Sequence, residues 1–430
     1  MTGQSKPAAA RSTAVRQAPT LRSLIPSAFL PCMVYETANG AIAPVIALTA
    51  LDLHASPGMA GFMLALLGIG QVLGDLPAAS LADRIGDRRA MILAAIVASF
   101  ALLGCLFASS LIVLGASLLV LGICTAVFYL ARQSYMTEIV PVGLRARAMS
   151  TLAGSHRVGL FIGPFIGAAA IGVGGLRAAY VVAIVATTSS AIIVGIVSNL
   201  ADEDDGSLAV RGGFSGREIL AAHRRMLATL GVGILAVGMV RAARQTVLPL
   251  WAHHVGLGAA QTSLIFGIAS AADMALFYPS GKVMDRFGRL AVAVPAMLVL
   301  GLAMTVLPLT TDAVSVTVVA VVMSLGNGIG AGIMMTIGAD VAPVSGRTRF
   351  LSMWRVMSDS GNAAGPVLVS VGALLWSLAA GIVMIGLVGV VAAGTLTAWA
   401  PRYSAYATPR SVRATRLRLA AEQAGGHDSG

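Results

Sequence analysis

The stretch GKVMDRFGR, residues 281–289, is a charged turn set inside apolar sequence, and ASLADRIGD, residues 79–87, is its cousin. Asp83 and Asp285 are 202 residues apart, as are Arg84 and Arg286, and Gly86 and Gly288. A hydrophobic chain that carries the same charged turn twice at a fixed interval contains an internal repeat. The surrounding composition says what is repeated.

Of 430 residues, 57% are hydrophobic and 11% charged, against about 25% charged in a soluble domain. Apolar runs near 20 residues recur, each long enough for a hydrocarbon core of about 30 Å. Lipid leaves no backbone group unpaired, so such spans are helices or a closed barrel. Barrel strands alternate apolar and polar over about ten residues, whereas AMILAAIVASFALLGCLFA, residues 90–108, is apolar on every face. Twelve helical spans follow, at 24–50, 60–81, 90–109, 111–134, 149–173, 178–199, 226–250, 260–281, 290–311, 314–339, 350–374 and 377–400.

The net charge of +11 suggests nucleic acid until its distribution is read. With the N-terminus in the cytoplasm, 23 of the 29 lysines and arginines fall on that side and only Arg177 on the other. That asymmetry sets topology and explains the basic balance without a nucleic acid. We therefore expect a multi-pass protein of the cell (inner) membrane with both termini cytoplasmic. No cleavable signal peptide is visible, because the first apolar run starts late and is long. Cys32, Cys105 and Cys124 lie in apolar runs without a CxxC spacing, so they read as small core hydrophobes.

Residues 200–225 form the one long polar stretch between the tails and divide six spans from six. The expected organisation is a basic tail over 1–23, a six-helix bundle over 24–199, a linker over 200–225, a second bundle over 226–400 and a tail over 401–430; both tails read as disordered. The repeat runs through both bundles. PVGLRARAMS at 141–150 matches PVSGRTRFLS at 343–352, and Gly159, Gly163 and Pro164 match Gly361, Gly365 and Pro366, all 202 apart. Repeats in a polytopic chain point to a transporter with its site near the midplane between them. The fold expected is an all-α membrane protein, twelve transmembrane helices in two pseudo-symmetric six-helix bundles.

From residue 24 to 400 the chain resembles the major facilitator superfamily. The family's loop motif, Gly-x-Leu-x-Asp-Arg-x-Gly-Arg-Arg, is matched by Gly281, Asp285, Arg286, Gly288 and Arg289. The first copy keeps Asp83, Arg84, Gly86 and Arg88, with Ala79 and Asp87 as departures. The resemblance implies a cytoplasmic gate, Asp83 docking near the start of the eleventh span and Asp285 near the fifth. A purely topological anchor is the alternative. GLFIGPFIGA, residues 159–168, resembles the fifth-helix motif of the superfamily's drug:proton antiporters through Gly159, Gly163, Pro164 and Gly167, with Ala168 replacing the last glycine. This implies export, the helix sealing the path between the halves; a packing groove of small residues is the alternative. The arginine usual in the fourth helix of such antiporters is replaced by Leu118. GNGIGAG, residues 326–332, reads as packing.

Charges inside spans are costly and mark function. The acids are Glu36, Asp75, Asp273 and Asp359; the bases are Arg132, Arg157 beside His156, Arg241, Arg244 and Arg355. Arg355 and Asp359, four apart, read as an intrahelical pair. Arg241 and Arg244 share a helix face at a depth similar to that of Glu36, about 20 Å from the cytoplasmic end. We expect Glu36 to face them across a cavity and carry a proton, since burial favours the neutral acid and a nearby Arg the carboxylate. Asp273 is the second candidate and Asp75 the third; a static salt-bridge cluster is the alternative. Arg241, Arg244, Tyr129, Phe128 and Arg132 are candidates for the substrate cavity. Two free arginines there suit an anionic or zwitterionic solute if Glu36 does not neutralise them. Met239, Met274, Phe277 and Tyr278 add an adaptable apolar surface.

An enzyme is disfavoured: the sequence has no Walker-type loop, no His-Glu-x-x-His, no Gly-x-Ser-x-Gly and no metal-spaced Cys or His set. No cofactor is expected. Energy then comes from a gradient, and about 200 mV is worth about 4.6 kcal/mol per charge, or about a thousandfold concentration ratio. The reading is a proton-driven exporter of amphipathic small molecules with the lipid bilayer, protons and a small solute as partners, working as a monomer. An importer or facilitator of a metabolite on the same scaffold is the alternative.

Overall fold

The computed structural model describes residues 24–140, 142–197, 216–343, 347–415 and 417, and among these no strand occurs. The first bundle comprises α1 (Leu30–Asp52), α2 (Pro57–Ile85), α3 (Asp87–Leu106), α4 (Leu111–Ile139), α5 (Val142–Gly174) and α6 (Leu176–Ile196). A short amphipathic helix, α7 (Gly216–Met226), leads into the second. That bundle contains α8 (Val232–His254), α9 (Ala259–Phe287), α10 (Leu290–Val306), α11 (Ala313–Ile329) continued by α12 (Ile333–Val341), α13 (Arg347–Leu375) and α14 (Leu378–Tyr403). Eleven helical segments among the described residues are long and apolar enough to cross a membrane. The twelfth, α13, is less apolar because WRVMSDSGN, residues 354–362, places Arg355, Asp359 and Asn362 within it. The architecture is that of an all-α membrane protein with twelve transmembrane helices in two bundles.

The sequence repeat recurs as backbone. Each bundle's first helix opens with a π turn, Ile25–Phe29 and Leu227–Gly231, 202 residues apart. A methyl group on Gly159 would press on the Met33 carbonyl and one on Gly163 on the Thr37 carbonyl; on Gly361 and Gly365 the obstacles are the Leu235 and Met239 carbonyls. Every one of those partners is displaced by the same 202 residues. Small residues let α5 lie on α1, and α13 on α8, at backbone distance. The charged turns agree too: Gly86 and Gly288 take φ of 82° and 91°, a region that suits glycine.

Several elements depart from the sequence expectation. Asp83 and Arg84 end α2, and Asp285 and Arg286 end α9, as helical residues rather than loop, because each helix outlasts its apolar run. The tenth span is interrupted at Gly330–Gly332, where Gly332 has φ of 76°; GNGIGAG breaks a helix as well as packing. Residues 216–225 of the expected linker are helical, as part of α7. The described part of the C-terminal tail is structured: beyond α14 it folds back, and the Arg289 and Leu290 amides donate to the Tyr406 and Ala407 carbonyls at 3.0 Å. The basic tail over 1–23 and residues 198–215 lie outside the described residues. Cys32, Cys105 and Cys124 are buried free thiols, as expected.

The bundles meet along α2 against α13 and α5 against α9. At the end remote from the charged turns the fit is tight: Gly58 lies against Leu374, Gly61 against Ser370 and Gly267 against the Phe165 ring. Toward the charged end, Gly154 and Gly281 continue the facing stripes of α5 and α9, yet a Cβ on either would meet nothing within 4 Å. Open space lies beside both glycines.

Candidate functional site

Three ionic clusters lie within the spans. The first is inside the first bundle. Glu36 on α1 is 0% exposed, with Oε1 2.9 Å from His156 Nδ1 on α5 and 3.8 Å from an Arg132 nitrogen on α4. Asn39 donates to Glu36 Oε2 at 3.2 Å and to the Tyr129 hydroxyl at 3.4 Å. Arg132 donates to Cys32 Sγ at 2.6 Å and lies over the Tyr129 ring, 4.9 Å from its centroid. Tyr129 also packs edge-on against His156. A buried carboxylate costs several kcal/mol unless paired, and this ring of partners is what holds Glu36 in place.

The second cluster bridges the bundles. Arg157, next to His156 on α5, lies 3.3 Å from Asp273 Oδ1 on α9 and over the Phe277 ring at 4.4 Å. The Asp273 contact is an ion pair without an aligned hydrogen bond, since Arg157 NH1 is buried and lacks one. Asn327 on α11 donates to the same Asp273 oxygen at 3.1 Å. Nearby on α8, Arg241 donates to the Gly330 carbonyl at 2.7 Å and Arg244 to Ser324 Oγ at 2.7 Å. At the break between α11 and α12 the Gly330 carbonyl thus accepts from Arg241 as well as from the Ile333 amide at 3.3 Å. A cavity of about 40 Å³ lies here, lined by Arg157, Arg244, Asp273, Gln245, Ser270 and Phe266 among others.

The third cluster is the opposite bridge. Arg355 on α13 reaches Asp75 on α2 at 3.8 Å and Asp359 on its own helix at 3.3 Å. It also donates to Gln133 on α4 at 3.5 Å.

These positions correct the expected constellation. Glu36 does not face Arg241 and Arg244: its partners are His156, Arg132 and Asn39, and the two arginines are held by Ser324 and the Gly330 carbonyl. Phe128 is not cavity lining but fully buried, stacked on Tyr35 at 4.1 Å. Tyr278 is 70% exposed and carries Lys282 over its ring. The Arg355–Asp359 pair forms as its spacing predicts. His156 and Arg157, which sequence reasoning noted only as intramembrane charges, join the first two clusters. Their adjacency on α5 was the available signal.

The fifth-helix glycines Gly159, Gly163 and Gly167 all face α1 of the same bundle, so they do not themselves lie between the halves. Pro164 lines the cavity, and Phe165 meets α9. Around the charged turns, Arg88 donates to the Val194, Gly195 and Val197 carbonyls that end α6, at 2.9, 2.8 and 2.6 Å. Arg289 bridges Asp340 at 2.8 Å and Asp285 at 3.2 Å, and Ser404 donates to Asp340. Burial works against the Arg289 charge, but the hydrogen bonds and charges of Asp340, then Asp285, outweigh it and hold the guanidinium above its ordinary value. Arg286 lies over Phe287, while Asp83 and Arg84 are exposed. The side chains at the starts of α5 and α13, where Asp285 and Asp83 are expected to dock, lie outside the described residues.

The sequence model of the Major Facilitator Superfamily matches residues 28–366 and again 230–420. No curated protein matches the chain in sequence. Among solved structures it is similar to a bacterial homolog of the human lysosomal transporter Spinster, inward-facing and unoccupied, at 16% identity and a TM-score of 0.67 over 90% of this chain and 98% of that one. A D-xylose–proton symporter matches at 14% and 0.65 over 85% and 95%. The human organic anion transporter MFSD10 (TETRAN) matches at 14% and 0.63 over 88% and 99%. At such identities the likeness is one of fold.

Proposed function

We propose that this chain, which belongs to the major facilitator superfamily and is a secondary transporter, couples proton entry to the export of amphipathic small molecules. The observation that carries the reading is the adjacency on α5: His156 holds the buried Glu36, and the next residue, Arg157, holds Asp273 of the other bundle. A proton arriving on the Glu36–His156 pair changes the charge beside the very residue that ties the bundles together. Alternating access follows if the two conformations bind that proton with different affinity.

The asymmetry of lysine and arginine supports a cytoplasmic location for the charged end and both termini, in the cell (inner) membrane. The open space beside Gly154 and Gly281 is then an opening toward the cytoplasm. Asp83, Arg84, Asp285 and Arg286 close that side in the opposite state. One chain builds the whole cavity, so a monomer suffices.

Because the fifth-helix glycines pack on α1, they bear on direction less than the motif alone suggests. That favours keeping an importer or facilitator as the second reading. Proteoliposomes with a trapped pH dye, an imposed pH gradient and a panel of cationic, neutral and anionic compounds decide. Proton flux that starts only with compound and vanishes in Glu36→Gln is expected; substrate movement without proton flux means a facilitator, and flux of both in the same direction means a symporter.

A further inference from the structure

The second cluster has more cation than its acid can neutralise. Arg157 and Arg244 line one cavity with Asp273, and Arg241 lies one turn from Arg244 on α8, three guanidiniums against one carboxylate. Glu36 on α1 is already held by His156 and Arg132, and Asp52 and Asp285 lie at the far ends of α1 and α9. Asp75 and Asp359 belong to the opposite bridge with Arg355. A surplus of buried positive charge at bilayer depth is expensive.

Two atoms say where that surplus is directed. Arg244 is 8% exposed, and its Nε is buried without a hydrogen-bond acceptor among the described residues. Arg157 NH1 is buried too, with only the unaligned Asp273 Oδ1 beside it at 3.3 Å. Both side chains line the same cavity between α5, α8 and α9. Buried guanidinium N–H groups normally find acceptors, and a planar carboxylate is the acceptor whose geometry suits a guanidinium best. The cavity's 40 Å³ holds about three water-sized groups, enough for a carboxylate head and no more. Phe266, Leu160 and Met274 on the same walls suit an apolar body that extends toward the open space beside Gly154 and Gly281.

We infer that the substrate is an organic acid, its carboxylate bound between Arg244 and Arg157 and its apolar body along α5 and α9. This rests on the transporter reading above but narrows its cargo to amphipathic anions. Arg241, tied to Gly330, adds charge without direct contact.

The test is equilibrium binding to purified protein in detergent, with no gradient, of three probes of one shape: 1-naphthoate, 1-naphthamide and 1-naphthylmethylammonium. Naphthoate is expected to bind about tenfold or more tighter than the amide, as a charged hydrogen-bonded contact implies. Arg244→Gln should erase that preference, Arg244→Lys should keep part of it, and Asp273→Asn should strengthen naphthoate binding by removing the competing acid. The opposite signs of Arg244→Gln and Asp273→Asn guard against a variant that merely misfolds. Equal or better binding of the amide or ammonium, no binding of naphthoate, or a preference that survives Arg244→Gln overturns the inference. The same probes in proteoliposomes separate the two claims: naphthoate preference without proton-linked flux sinks the coupling and leaves the anion site standing, while proton-linked flux of the ammonium alone does the reverse.

Discussion

The two bundles share a backbone but not its chemistry. Where the first holds Glu36 2.9 Å from His156, the second, displaced by the same 202 residues, has Gly238 against the Ser358 carbonyl. The glycines that bring α5 onto α1 and α13 onto α8 are duplicated in position and partner. Duplicated features are therefore those the fold needs, and the features present in one half alone are where proton and cargo chemistry should be sought. The bundle contacts repeat the lesson: α5 meets α9 through one cation and one acid, α13 meets α2 through one cation between two acids.

The sharpest break in the comparison is Glu36→Gln. Loss of a positioned proton carrier is expected to reduce proton-driven flux by about a hundredfold or more, whereas Ser358→Ala, at the counterpart of His156, should leave it within about twofold. Because Arg132 then lacks its acid, the Gln variant should also unfold more easily, by about 3 kcal/mol; a thermal melt separates that loss from the loss of flux. A Glu36→Gln protein with full pH-driven transport would remove the asymmetry from the mechanism.

Next in size is the contrast between the bundle bridges. Asp273 and Arg157 are 18% and 15% exposed, so Asp273→Asn should shift the balance between conformations by about 2 kcal/mol. Asp75 lies 3.8 Å from an Arg355 that is 37% exposed, and solvent screening limits Asp75→Asn to about 1 kcal/mol or less. Spin-label distances across the end remote from the charged turns report both; equal shifts would mean that burial does not rank the bridges.

How far the sequence led follows the same division. The repeat, the spans and the intrahelical Arg355–Asp359 pair are local signals, written in apolar run length, fixed spacing and i,i+4 geometry. Which acid meets which base is not local. Glu36 and Arg241 lie at similar depths on the first helices of the two halves, but depth does not fix the face, and α5 reaches Glu36 first because Gly159 lets it. The break at Gly330–Gly332 stayed hidden for a related reason: a glycine run reads alike whether it packs or interrupts, and the contact of Arg241 with the Gly330 carbonyl is not local.

Gly163→Ala and Gly365→Ala test whether the shared scaffold is equally tight in both halves. Each added methyl meets a backbone carbonyl of the partner helix, Thr37 or Met239, and overpacking of that kind costs about 1–3 kcal/mol. Similar drops in melting temperature are expected from the two. A transport defect confined to Gly163→Ala at unchanged stability would instead give the fifth-helix motif a role in direction.

The smallest effect concerns the charged turns, which the halves secure by different means. In the first, Arg88 closes on three carbonyls at the end of α6, a favourable place for a cation because those carbonyls have no helical partner. In the second, the chain beyond α14 supplies two backbone carbonyls to the first amides of α10, and Ser404 and Arg289 share Asp340. Two hydrogen bonds of about 1 kcal/mol each set the scale of what removal of residues 404–430 should cost. Hydrogen exchange should rise at the Arg289 and Leu290 amides while the α2–α3 turn stays protected. Faster exchange at both turns would mean that the C-terminal segment steadies the whole charged end, and that the halves depend on each other where their sequences look most alike.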